Sequence, residues 1–142
     1  MLKKISNILL FVGGIISVVS SAILITSAIV FIFLGCNAPF KEVIIQGIEN
    51  GTITVTAPEG TSIIKQAELV QHIFLLLAVV LFIITIFVST SAIFSFLGAK
   101  KNTSTICVFN IVFGILSDNI ISLAGGVCGL VKEKESDNEK VS

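Results

Sequence analysis

The sequence predicts an all-α integral membrane protein, with two long transmembrane helices, a third apolar run broken into a short helical hairpin, and one small extracytoplasmic segment. Three observations carry that expectation. Of 142 residues, 54% are hydrophobic and only 13% charged, and the mean hydropathy of +1.06 lies outside the range of soluble globular domains. Three apolar runs of membrane length are separated by short polar links. Within those runs the only acid is Asp118, at the centre of the third. One membrane domain spanning residues 1–142 is expected.

Charge excludes several partners. The nine basic residues are all lysines and are balanced by nine acids, so no basic face is available for nucleic acid and no net field steers an anionic ligand. Trp and Tyr are absent, which leaves Phe, Lys and the polar links to anchor the helices at the membrane interfaces.

The first helix is expected over residues 5–34. At 1.5 Å per residue it is about 45 Å long against a hydrocarbon core of about 30 Å, so it crosses with tilt or emerges on one side. Lys3 and Lys4 ahead of it argue for a cytoplasmic N-terminus. A cleaved signal peptide would have an apolar region of only about 7 to 15 residues. Phe33-Leu34-Gly35-Cys36 loosely matches a lipoprotein cleavage box, but Phe33 and Leu34 fit it poorly and two more apolar runs follow. Cys36 is therefore read as a thiol at a helix end. Gly13, Ser17 and Ser21 recur every four residues and give this helix a face of small side chains, where another helix can approach closely.

Residues 35–61 hold both prolines and four charges and form the extracytoplasmic segment. Two local structures compete within residues 39–56. Asn50-Gly51 between Val43-Ile44-Ile45 and Thr52-Ile53-Thr54-Val55-Thr56 is a hairpin signal. Phe40, Val43, Ile44, Gly47 and Ile48 instead follow helical spacing, with Pro39 suited to a first turn and Gly51 to the position past a C-terminus. An amphipathic helix is the preferred reading.

The second long helix is expected over residues 62–98, with Thr61 or Ser62 accepting hydrogen bonds from its first N–H groups. Its first turns are polar, and the apolar stretch runs from Ile73 to Leu97. His72 falls at the polar boundary; with no second His and no Asp or Cys at i±3 or i±4, it reads as an interfacial residue and not a metal ligand. Ser91, Ser95 and Ala99 supply a second small-residue face. Residues 99–103 form a basic link, as expected of a cytoplasmic loop.

The third run, residues 104–131, allows two arrangements. A straight helix of about 40 Å would put Asp118 near the bilayer centre and the C-terminal tail outside. A broken pair, Thr105 to Ser117 and Ile120 to Val131, would place Asp118 and Asn119 at an outward-facing turn and both termini in the cytoplasm. The straight form puts four lysines inside and five outside, whereas the broken form puts seven inside and only Lys41 and Lys65 outside, so the positive-inside tendency favours the break. Gly125 and Gly129 form a GxxxG pair, with Ser122 and Gly126 repeating the spacing beside it. Cys107 and Cys128 fit small apolar residues better than a disulfide. Asp118 with Asn119 is the candidate polar site, either an ion or proton site or a turn that caps the last helix. Residues 132–142 are a charged tail expected to extend freely into the cytoplasm.

Phe109-Asn110-Ile111-Val112-Phe113-Gly114-Ile115-Leu116-Ser117, followed by Leu123-Ala124-Gly125-Gly126-Val127-Cys128-Gly129-Leu130, resembles a group of uncharacterised small bacterial membrane proteins with a glycine-rich C-terminal helical hairpin. The resemblance covers the last third of the chain and otherwise its layout. It implies four membrane segments, both termini inside, and no established activity.

No nucleophile, base and orienting group converge, no phosphate loop exists, and no Cys/His spacing suits a metal, so no enzyme, cofactor or small-molecule substrate is expected. The expected partners are membrane lipids and either further copies of the chain or another membrane protein. The leading function is an accessory or structural membrane protein. The alternative is an oligomeric pore former, a holin-like protein or small channel, with the polar stripe from Ser89 to Gly126 facing the pore.

Overall fold

The computed structural model describes the backbone of residues 2–101 and 103–141, and the side chains of residues 4–101 and 103–131. Among the described residues the chain is helical and forms no strand: α1 (Leu2–Cys36), α2 (Ala38–Glu49), α3 (Ile63–Lys100), α4 (Ser104–Leu116) and α5 (Ile120–Val141). α1 and α3 are each long and apolar enough to cross a membrane. The chain divides into two compact units, and both long helices contribute to each.

The first unit holds Met1–Ile23 and Ile83–Ser142. Here α1 and α3 run antiparallel, with the Phe11 ring edge-on to Phe96 at 5.8 Å and Ser21 hydrogen-bonded to Ser89 at 2.8 Å. The third apolar run is broken. α4 ends on paired backbone bonds, Asp118 N–H to Ile115 O (3.2 Å) and Asn119 N–H to Gly114 O (2.8 Å), a Schellman closure whose left-handed position is Asp118 at φ +52°. Aspartate is one of the few residues that tolerates that conformation. α5 then returns antiparallel along α4, so closely that a Cβ on Gly126 would lie 2.8 Å from Cys107 O and one on Gly114 2.9 Å from Leu123 N.

α5 does not stop where its apolar stretch does. The backbone stays helical to Val141, into the charged tail of residues 132–142 that composition marks off. Lys and Glu are good helix formers, and adding turns to an existing helix avoids the cost of nucleation. The side chains of residues 132–142, and the backbone of Asn102, lie outside the described residues.

The second unit is Leu24–Phe82. Its α2 settles the competition between helix and hairpin at residues 38–49. Asn37 accepts a hydrogen bond from Phe40 N–H (3.0 Å), Pro39 sits in the first turn, and Gly51 follows the C-terminus at φ +76°. Ile44 and Gly47 are buried, and Ile53 of the following extended segment packs directly on Gly47. α2 is tied to the first turns of α3 by Lys41 Nζ to Glu68 Oε1 (2.7 Å) and by Phe40 edge-on to Phe74 (5.6 Å). Gln71 Nε2 donates to Asn37 O (3.1 Å), and Phe31 of α1 stacks on Phe74 at 5.7 Å. The Thr61 hydroxyl donates back to Pro58 O (2.6 Å), within the turn that contains Gly60, and α3 opens after Ser62, whose carbonyl accepts from Gln66 N–H (3.1 Å).

Candidate functional site

The polar side chains of the first unit converge on α5. Ser122, Gly125, Gly126 and Gly129 are all buried, and the first three face α1, α3 and α4. A Cβ on Gly13 of α1 would come within 2.9 Å of Ser122 N, and one on Gly125 within 3.0 Å of Leu10 N. Such separations bring backbones together, and they explain why small residues stand at these positions. The close approach also lets backbone carbonyls accept from side chains: Ser6 Oγ donates to Gly125 O at 2.8 Å. Leu10, fully buried, fills the slot between Gly98 and Gly125.

A second set of bonds ties α3 to α4 and α5. Asn110 is fully buried, with Nδ2 donating to Phe94 O (2.9 Å) and Ile106 O (3.0 Å), and Oδ1 accepting from Ser95 Oγ (3.1 Å). Because Ser95 spends its one proton on Asn110, the 2.6 Å bond between Ser95 and Ser122 is donated by Ser122. The chain Ser122 to Ser95 to Asn110 to backbone is thus closed, with every polar atom matched. Ser91 differs: it is fully buried and its hydroxyl has no hydrogen-bond partner.

At the tip of the α4–α5 hairpin, Asn119 and Asp118 behave oppositely. Asn119 is buried; its Nδ2 donates to Gly13 O (2.9 Å) and Ser17 Oγ (2.7 Å), and its Oδ1 accepts from Ser122 N–H (3.1 Å), capping α5. Asp118 is exposed. It lines a recess of about 240 Å³ together with Ser17, Ser20, Val88, Ser117 and Asn119. The Ser117 hydroxyl donates to Phe113 O at 2.6 Å and keeps its lone pairs available.

Of the residues singled out in the sequence, Gly13, Ser17, Ser95, Ser122, Gly125, Gly126 and Asn119 therefore meet in the first unit. Ser21 lies further along α1 and bonds Ser89, and Gly129 is buried on α5. Asp118 and Asn119 do sit at a turn. That turn packs against Gly13 and Ser17 of α1 through Asn119. Sequence reasoning missed Ser6, Asn110 and the slot around Leu10. An asparagine inside the apolar stretch Ile106–Leu116 was the available signal, since a buried amide in an apolar helix needs partners on a neighbour. His72 is exposed, its Nδ1 2.7 Å from Glu68 O, and Cys36, Cys107 and Cys128 are all thiols. Compared with protein-family models, with curated proteins and with solved structures, the chain matches none.

Proposed function

We propose that this chain is a small multi-pass membrane protein of accessory or structural type, with α1 and α3 crossing the bilayer and the α4–α5 hairpin embedded beside them, four membrane segments in all. Both termini lie on the cytoplasmic side, and α2 with the loop after it lies outside. One observation carries the reading. The large apolar side chains of α1 and α3 are exposed around the helices, among them Ile8 (62%), Ile23 (62%), Phe33 (64%), Leu76 (64%) and Ile86 (65%). A water-soluble core helix buries such residues, and apolar exposure on this scale is stable only against lipid or another apolar surface. Inside the first unit Ser95, Asn110, Ser122 and Asn119 bond one another, which supports an accessory role over an oligomeric pore former.

Two experiments test this. The protein is expected to stay in the membrane pellet after alkaline carbonate extraction; recovery in the supernatant would end the integral reading. Induced expression is expected to leave the membrane potential and growth intact. Collapse of the potential would replace the accessory role with the pore former.

A further inference from the structure

The tip of the hairpin has a measurable depth. Asn119 bonds Ser17, which lies about 18 Å along α1 from Ile5, where the apolar run begins. On α3, Val88 lines the same recess and lies about 14 Å from Leu97, the end of the apolar stretch. α4 itself covers about 20 Å from Ser104 to Leu116. The three measures agree on a tip about 14 to 20 Å in from one face, half-way through a hydrocarbon core of about 30 Å. The hairpin therefore enters and leaves by the same face.

At that depth stands a carboxylate. Asp118 is exposed, so a lipid-facing or dry setting would leave its charge uncompensated, and the only other polar side chains lining the recess are Ser17, Ser20, Ser117 and Asn119. None is cationic. A recess of about 240 Å³ has room for an ion and several waters, each of which occupies about 30 Å³ in the liquid. Carboxylate and hydroxyl oxygens are the donors that hard cations prefer, and one carboxylate balances one positive charge. Asn119, locked to two helices, holds the acid beside the recess without joining its chemistry.

The geometry points to a cation site at mid-membrane depth, in which the Asp118 carboxylate, with the hydroxyls of Ser20 and Ser117, holds one monovalent metal ion and its remaining waters. This rests on the membrane reading above. Occupancy ties the hairpin tip to α1 through Ser20.

The test uses the purified full-length protein in lipid nanodiscs, with Na⁺ as the probe and choline as its replacement at constant ionic strength. The thermal midpoint of the wild type is expected to rise by at least about 3 °C with Na⁺ and then saturate, as a ligand specific to the folded state requires. Asp118→Asn keeps a residue that tolerates the turn and removes the charge; its midpoint is expected to ignore Na⁺. Ser20→Ala leaves the turn untouched and is expected to raise the half-saturating Na⁺ concentration severalfold. A wild-type midpoint indifferent to Na⁺ and K⁺, or a Na⁺ response that survives in Asp118→Asn, overturns the site. A wild type stabilised by acid but not by metal ions overturns it in favour of a proton, Asp118 being the only titratable side chain lining the recess. Carbonate extraction of the same preparations separates the two failures: protein that stays in the membrane but ignores cations refutes the site alone.

Discussion

Asn119 makes the hairpin tip a fixed point: its amide serves α1 and α5 at once, and its backbone closes α4. Asn119→Ala leaves Gly13 O and the N–H of Ser122 without their partner, an expected loss of about 1–3 kcal/mol in reversible unfolding. In lipid the figure falls toward the lower end, since groups left unpaired find other partners. Ser91 gives the opposite sign. Its buried hydroxyl is unmatched, so Ser91→Ala is expected to leave stability unchanged or raise it by up to about 1 kcal/mol, whereas Ser95→Ala, which breaks the Asn110 chain, lowers it. Equal effects at both serines would mean that the hydrogen-bond chain contributes nothing. The periodicity of Ser91 and Ser95 was legible in the sequence. Which of the two has a partner was not, because that depends on Asn110 of a different helix, and spacing within one helix carries no information about its neighbour.

Among the elements, α5 depends most on shape. Its glycines bring backbones together, and Leu10 occupies the slot they leave beside Gly98. Leu10→Ala is expected to cost about 2–5 kcal/mol, as for other fully buried leucines, because a slot walled by helix backbone does not collapse easily. Gly126→Leu forces α4 and α5 apart against the Cys107 carbonyl, and circular dichroism in detergent is expected to show earlier melting. The small residues of this face are visible in the sequence, but the helix that each one meets is not. The break in the third run was also legible, from lysine placement, but its mechanism was not: a Schellman closure normally carries glycine at the left-handed position, and here the residue is Asp118. α2 was ambiguous in the sequence because Asn50-Gly51 suits both a hairpin turn and a helix end. The Asn37 cap and the burial of Ile44 and Gly47 under neighbouring chain favour the helix, and those are tertiary facts.

At the scale of the whole molecule, composition alone dictates an apolar exterior, and the exposed isoleucines and phenylalanines of α1 and α3 agree with it. What composition could not locate is the polar matter. The sequence shows a serine- and asparagine-rich stripe; in the first unit its Ser95, Asn110, Ser122 and Asn119 bond one another, while its Ser91 has no partner. The recess beside Asp118 remains, at a position along α1 readable only once Asn119 is seen against Gly13 and Ser17. We propose that α1 and α3 cross the bilayer in opposite directions, with the loop after α2 outside and the link after α3 inside. Single cysteines at Glu59 and Ala99, in a chain with Cys36, Cys107 and Cys128 replaced, test it with a membrane-impermeant thiol reagent. Labelling of the Glu59 position on intact cells, and of the Ala99 position only after lysis, is the predicted result; protection of both until lysis, or the reverse pattern, would contradict it.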